Sequence, residues 1–113
     1  MKKKIKAVET KSGFVKDGRY AIIGNKSYGL YVGIVESFDK INGIVEGRNI
    51  RHVARWYGKT GGITSLAVWG LCGPNASQSR IGGAAKTMTL TGVVNVIECT
   101  LEARATFEAA VQS

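Results

Sequence analysis

Two strand-forming segments joined by a short polar turn constrain this fold more than any other feature of the sequence. Residues 28–38 (YGLYVGIVESF) and 44–57 (IVEGRNIRHVARWY) are rich in β-branched and aromatic residues, and DKING at 39–43 lies between them. Asparagine and glycine after an aspartate are typical of hairpin turns, so the segments predict a long antiparallel hairpin. Bulges, bends or close backbone contacts are predicted where glycine interrupts the strands, at Gly29, Gly33 and Gly47.

The remaining elements are predicted from local composition and apolar periodicity. RYAIIG at 19–24 predicts a short strand, and the alternating apolar residues of 86–99 predict one further strand. Residues 63–73 and 100–112 predict helices, and the polar stretch 75–85 predicts a loop. The predicted fold class is therefore α+β: an antiparallel β-sheet of about five strands with two α-helices in the C-terminal half.

Individual side chains predict where the two helices begin and end. Thr64 or Ser65 would cap the first helix, and Gly73-Pro74 would end it. Thr100 would cap the second helix, with Glu102 in its first turn. The apolar surface of the second helix is predicted to be Leu101, Ala105, Phe107, Ala109 and Val111.

Length and charge limit the class of protein. With 113 residues the chain is expected to form a single domain, 1–113, whose first eleven residues are a mobile basic arm. Residues 1–60 carry thirteen Lys or Arg and five Asp or Glu, so the whole net charge of +8 lies in that half. This asymmetry favours an anionic partner, although the lysines of the arm by themselves are better explained as a solvated tail. No apolar run approaches the ~20 residues of a membrane span, and no apolar leader follows the basic start, so we expect a cytoplasmic protein.

The residues available for chemistry favour binding over catalysis. His52 is the only histidine, and none of the common nucleotide-hydrolase, esterase or metalloprotease motifs occurs. Cys72 and Cys99 lie in apolar surroundings without CxxC spacing, which predicts free, buried thiols with neither a disulfide nor a metal. We therefore expect a protein that is not an enzyme and that has no metal and no cofactor.

Cations, aromatic rings and glycines are concentrated between residues 51 and 62. If 44–57 is one regular strand, then Arg51, Arg55 and Tyr57 share a face that suits a phosphorylated aromatic ligand. GKTGG, with Lys59, Gly61 and Gly62, would then direct backbone N–H groups at the start of a helix toward phosphate. Arg80 would approach from the second glycine loop, SRIGG. The alternative is structural: Trp56 in the core, the paired glycines as a turn, and solvated arginines.

Two segments also resemble a known family. RWYGKTGGITSLAVWGLCGP at 55–74 and TGVVNVIECTLEARATFEA at 91–109 are similar to a small phage and prophage domain, which we associate with the anti-Thoeris sponge proteins of phages. The matching residues are Trp56-Tyr57, Gly61-Gly62, Ser65-Leu66, Val96-Ile97-Glu98-Cys99-Thr100 and Glu102-Ala103.

The resemblance implies a homo-oligomer, a hexamer, that sequesters a cyclic nucleotide immune signal without cleaving it. The implied ligands are cyclic ADP-ribose isomers made by TIR-domain (Thoeris) defence enzymes, and in some relatives cyclic oligonucleotides of CBASS immunity. Ser65, Asn75, Thr100 and Arg104 would add ribose contacts. The complete predicted ligand set is Arg51, Arg55, Trp56, Tyr57, Lys59, Gly61, Gly62, Ser65, Asn75, Arg80, Thr100 and Arg104.

Two other functions remain open from the sequence. A small basic sheet with aromatic residues is also typical of modules that bind single-stranded nucleic acid, whose affinity falls steeply with salt. Alternatively, the apolar strand edges and the last helix serve assembly alone, in a structural phage component.

Overall fold

The structure, a computed structural model, describes residues 19–112, and these residues form a six-stranded antiparallel sheet with two α-helices. The predicted α+β class is thereby confirmed, with both helices in the C-terminal half. The predicted basic arm, 1–11, lies outside the described residues. The elements are β1 (Arg19–Asn25), β2 (Gly29–Asp39), β3 (Ile44–Arg55), α1 (Gly62–Trp69), a 3-10 turn (Ala76–Gln78), β4 (Arg80–Ile81), β5 (Ala85–Leu90), β6 (Val93–Glu98) and α2 (Leu101–Ala109).

The hairpin of β2 and β3 forms as its composition predicts. Asp39 closes the turn, because its Oδ1 accepts hydrogen bonds from the backbone N–H groups of Ile41 (3.0 Å) and Asn42 (3.1 Å). Gly43 N–H also donates to the Asp39 carbonyl at 2.8 Å. The hydrogen bonds from Asn42 lower the pKa of the Asp39 carboxyl, which keeps it ionised as an acceptor.

The strand order is β4-β3-β2-β1-β6, and β5 pairs with β3 along the same edge as β4. β5 and β6 therefore lie on opposite edges of the sheet, yet only Thr91 and Gly92 separate them in the chain. The sheet must curl until these two edges meet at the turn. The single strand predicted over 86–99 is wrong, because Gly92 adopts φ 68° and turns the chain there.

A β-bulge interrupts β3 at its middle. Val32 pairs with Arg51 and Ile34 with Arg48, so two residues of β3, Asn49 and Ile50, lie opposite Gly33 alone. Asn49 has φ 54°, the left-handed conformation that asparagine tolerates better than most residues. A Cβ on Gly33 would lie 2.7 Å from the Asn49 carbonyl oxygen, which confirms the close backbone contact predicted there.

Both faces of the sheet are buried. The two helices cover part of one face, and the curled sheet encloses the other, with Ile22 and Ile23 of β1 on opposite sides. We call the first cluster the helix-side core: Tyr20, Ile22, Val32, Ile34, Val53, Leu66, Ala67, Ile81 and Phe107. The second, the opposite core, is Ala21, Ile23, Val35, Val45, Ile50, Leu90 and Val93.

Glycines, not hydroxyl side chains, bound α1. The helix starts after Gly61, which has φ 119°, and no side chain caps it; it ends at Gly70. The predicted range 63–73 and the predicted caps Thr64 or Ser65 are therefore wrong. Ser65 instead donates its hydroxyl back to the Thr60 carbonyl at 2.9 Å. A glycine that readily adopts positive φ turns the chain into and out of the helix, so no polar cap is needed. None of the helices among residues 19–112 is long and apolar enough to cross a membrane.

Thr100 begins α2 as predicted, since its Oγ1 accepts a hydrogen bond from Ala103 N–H at 3.0 Å. The same hydroxyl donates to the Val68 carbonyl at 2.6 Å, so it also joins α2 to α1. The predicted apolar surface is correct only for Phe107, which is buried with Ala103 one turn earlier. Leu101, Ala105 and Ala109 are exposed, and Val111 lies beyond the helix end and is 84% exposed.

Thr100→Ala is expected to lower the free energy of unfolding by about 1–2 kcal/mol, because it removes both the cap and the bond to α1. Urea unfolding followed by circular dichroism measures this change. Thr64→Ala is the matched control: Thr64 is exposed on α1, and alanine favours helix, so no loss is expected there. Equal stability of the two variants would contradict the assigned role of Thr100.

Candidate functional site

Arg51, predicted to bind ligand, has its guanidinium engaged by main-chain carbonyls. Its Nε donates to Gly82 O (2.6 Å), its Nη1 donates to Phe107 O (2.8 Å), and its Nη2 lies 3.5 Å from Ile81 O. The Phe107 carbonyl belongs to the last turn of α2, where positive charge is favoured, and it also accepts from Ala110 N–H at 3.1 Å. Arg51 thus fastens α2 and the β4–β5 connection to β3.

Arg104 is also occupied within the chain. Its Nε donates to Glu108 Oε2 at 3.0 Å, and its guanidinium carbon lies 4.9 Å from the centre of the Tyr20 ring. Burial, together with the Glu108 carboxylate, raises the pKa of the Tyr20 hydroxyl to about 12, although Arg51 and Arg104 oppose the shift. The structure therefore places Arg51 and Arg104 together around Tyr20.

Arg55 and Arg80 form a separate pair. They are register partners across β3 and β4, both are exposed, and neither has a carboxylate partner in the described part of the chain. The register of β3 and β4 shifts between Val53 and Arg55, so the pairing is irregular at this point. Like charges at paired positions of neighbouring strands repel each other. An anion between the two guanidinium groups would relieve that repulsion and accept hydrogen bonds from both.

A groove of about 380 Å³ reaches Ser79, although neither Arg55 nor Arg80 lines it. Ser79, which precedes Arg80 in the chain, lines the groove and accepts a hydrogen bond from Tyr57 N–H at 3.1 Å. The walls combine small apolar side chains, such as Ala76 and Ala110, with hydroxyl groups. Asn75 belongs to the same loop, where its carbonyl accepts from Gln78 N–H.

The glycine loop before α1 forms a third group. Lys59 Nζ lies 4.4 Å from the centre of the Trp69 ring, which is 40% exposed, so the two make a cation–π contact. Gly61 and Gly62 both have positive φ, and the start of α1 carries no acidic side chain. The predicted set is thus divided among three places on the surface.

The alternation predicted along β3 does not continue to residue 57. Val53 and Trp56 both pack against the helix-side core, although regular alternation would put them on opposite faces. The packing of Trp56 agrees with the alternative interpretation, in which this residue belongs to the core and does not contact a ligand. His52 is exposed, and its Nε2 lies 3.2 Å from the Tyr28 carbonyl.

Tyr20, Asn49, Glu108 and Gln112 were not predicted as site residues, but they line a second cavity, of about 280 Å³, with Arg51. Nothing in the local sequence indicates this grouping, because the four residues come from β1, the β3 bulge, α2 and the C-terminal tail. Asparagine inside a strand-forming segment was the one available indication, since asparagine is rare in strands and common at irregular positions.

The two cysteines are free and partly buried. Burial raises the pKa of the Cys99 thiol to about 12, so this thiol stays protonated and unreactive. Within residues 19–112, no three His, Cys, Asp or Glu side chains are grouped so that they could hold a metal ion.

Comparison with known proteins identifies a family but no function. A family model matches residues 18–107, and the family is described as a domain of unknown function (DUF6948). No curated protein and no solved structure matches the chain.

Arg51→Gln is expected to lower the free energy of unfolding by about 1.5–3 kcal/mol, because carbonyls of α2 and of the β4–β5 connection lose a charged donor. Arg55→Gln, four residues along the same strand, should leave stability unchanged or raise it slightly by removing repulsion from Arg80. Urea unfolding of the two variants compares them directly. A larger loss for Arg55→Gln would contradict these assignments.

Stability is expected to fall as the pH rises from about 9 toward 12. Cys99 and Tyr20 have raised pKa values in the folded chain, so the unfolded chain loses these protons first, from ordinary values of 9.0 and 10.0. The stabilisation is fully present while the pH is below the pKa values of the unfolded chain. It is lost as the pH rises through the pKa values of the folded chain. Urea midpoints measured across this range should fall less steeply in the Tyr20→Phe, Cys99→Ala double variant. Identical slopes in the two proteins would refute the assignment.

Proposed function

The chain belongs to this family of domains of unknown function, and we propose that it binds a small phosphorylated nucleotide without chemically changing it. In this proposal the ligand is a cyclic nucleotide signal of bacterial immunity, and the protein inhibits anti-phage defence by sequestering that signal in the cytoplasm of the host cell.

The observation that carries the proposal is the unneutralised Arg55–Arg80 pair. Three other described arginines have a carboxylate oxygen within 3.0 Å: Arg19, Arg48 and Arg104. Arg55 and Arg80 pair across β3 and β4, and neither has a carboxylate partner among residues 19–112. Two guanidinium groups that both reach one anion can donate several N–H groups to the oxygens of a phosphate or a diphosphate.

The groove that Ser79 lines is suited to bind a ring of the same ligand. Its 380 Å³ falls within the range of small-molecule pockets, and its apolar walls with a few hydroxyls suit a flat heterocycle. Ser77, Ser79 and Thr106 offer hydroxyl groups there. A nucleotide whose phosphates meet Arg55 and Arg80 would direct its base or ribose into this groove.

Binding without turnover is favoured by how the titratable groups are placed. General acid–base chemistry needs a titratable group poised beside the reacting bond, commonly oriented by a second group. The single histidine, His52, lies on an exposed strand face against a main-chain carbonyl, away from the groove lining. Cys99 is held protonated, which makes it a poor nucleophile.

The identity of the ligand and the assembly rest on the resemblance of residues 55–74 and 91–109 to sponge proteins. That resemblance favours cyclic ADP-ribose isomers and a homo-oligomer. An exposed apolar patch supports self-association: Val68 and Trp69 at the end of α1 are each 40% exposed, and Leu101 at the start of α2 is 85% exposed. The bond between Thr100 and the Val68 carbonyl holds these residues close together.

Cyclic ADP-ribose isomers and cyclic dinucleotides are expected to bind the purified protein in isothermal titration calorimetry and to be recovered intact after heat denaturation. Arg55→Ala and Arg80→Ala should each weaken binding about 10-fold or more, because each removes a charge-assisted contact of ~1.5–3 kcal/mol. Arg48→Ala is the matched control, since it removes the same charge from an exposed arginine of β3 that already pairs with Glu36.

Three results would contradict the proposal. The first is the absence of binding to any of these nucleotides, and the second is an equal loss of binding in the Arg48→Ala control. The third is preferential binding of single-stranded oligonucleotides at about 50 mM salt with a steep decline as salt rises, which would favour the nucleic-acid alternative.

A further inference from the structure

The second cavity, the hollow of about 280 Å³ beside Tyr20, has a chemistry unlike that of the Arg55–Arg80 pair. It lies between the bulge of β3 and the C-terminal end of α2. We refer to it below as the Tyr20 hollow, and the polar side chains that line it are Tyr20, Asn49, Arg51, Glu108 and Gln112.

Tyr20 is the most informative of these residues. Its side chain belongs to the helix-side core and is only 7% exposed, yet its hydroxyl makes no hydrogen bond with any described residue. Among residues 19–112, no fully buried side-chain oxygen or nitrogen lacks a partner, which agrees with a Tyr20 hydroxyl that opens into the hollow that Tyr20 lines. A tyrosine buried to this degree normally has a partner for its hydroxyl.

Three further groups in the hollow have free hydrogen-bonding capacity. Asn49 is held at the bulge with φ 54°, and neither its amide nor that of Gln112 forms a side-chain hydrogen bond within the described chain. Glu108 uses Oε2 to accept from Arg104, which leaves Oε1 available as an acceptor. The hollow therefore offers a hydroxyl, two amides and one carboxylate oxygen.

The polar side chains that line the hollow disfavour an anionic ligand. Among the described residues that line the hollow, Arg51 is the only cation, and its guanidinium already donates to main-chain carbonyls. The Glu108 carboxylate would repel a phosphate at close range. A ligand with hydroxyl groups suits this lining better, because each hydroxyl both donates and accepts hydrogen bonds. In a vicinal diol, one hydroxyl can accept from a side-chain amide while the other donates to the carboxylate oxygen.

Size limits the ligand further. At about 280 Å³ the hollow is slightly below the range of pockets for drug-sized ligands, so it would take one small ring and not a whole nucleotide. We propose that the Tyr20 hollow is a binding site for an uncharged, polyhydroxylated ring of pentose size, with Tyr20 and Asn49 donating to ring hydroxyls and Glu108 Oε1 accepting from them. This inference does not rest on the proposed nucleotide function.

The test is a titration of the full-length, ¹⁵N-labelled protein with D-ribose, followed by ¹H–¹⁵N NMR spectra. We expect saturable shifts of the Asn49 and Gln112 side-chain amides and of the backbone amides of Gly83 and Ala84, with a dissociation constant on the order of 1 mM for so small a ligand. Tyr20→Phe should weaken binding about 5- to 10-fold, the effect of one lost hydrogen bond. The melting temperature of this variant should not fall, because the hydroxyl has no partner within the described chain.

Tyr28→Phe is the control, since Tyr28 is 70% exposed and does not line the hollow; it should leave D-ribose binding unchanged. A second titration uses inorganic phosphate, which should not shift the hollow residues. The proposal is overturned if D-ribose produces no saturable shifts at these residues, or if Tyr20→Phe binds D-ribose as tightly as the native protein. It is equally overturned if phosphate shifts the hollow residues more strongly than D-ribose does.

Discussion

The bulge at Asn49 decides which side chains of β3 face the helices. Before the bulge, Val45 points into the opposite core, and a regular strand would place residue 51 on that same face. The extra residue shifts the alternation, so Ile50 enters the opposite core and Arg51 turns toward α2. From there the guanidinium joins α2 and the β4–β5 connection to the central strand. Both cores and the attachment of the last helix depend on this one irregularity.

A second register shift, between Val53 and Arg55, lies between two cations that the sequence places close together. Arg51 and Arg55 are four residues apart, yet the first is engaged by carbonyls and the second lies exposed opposite Arg80. Of the predicted arginines, Arg55 has no carboxylate or carbonyl partner within residues 19–112, and Arg80 has only a long contact, 3.5 Å from its Nη1 to the Gln78 carbonyl. The hydrogen-bond and ion-pair partners of an arginine, more than the net charge of the chain, distinguish a structural arginine from one that is available to a ligand.

Local features were predictable because their causes are local. Asp39 and Gly43 determine the β2–β3 turn, and Thr100 caps α2 through a hydrogen bond to a residue three positions later. The turn at Thr91 and Gly92 was not recognised, because the residues on either side continue the same alternating pattern. Only the pairing of β5 with β3 and of β6 with β1 separates the two strands. The ends of α1 were missed for a similar reason, since polar caps were expected where glycines at positive φ begin and end the helix.

By itself, the sequence determined the α+β class, the long hairpin, the free cysteines and the concentration of cations and aromatic rings near residue 55. These properties depend on composition, periodicity and contacts between near neighbours. Only the tertiary structure decided that Arg55 pairs with Arg80 across two strands and that Arg51 and Arg104 surround Tyr20. It also decided that the Tyr20 hydroxyl has no hydrogen-bond partner among residues 19–112. Each of these depends on which distant segments lie side by side, and a one-residue bulge is enough to change the side of the sheet on which a side chain lies.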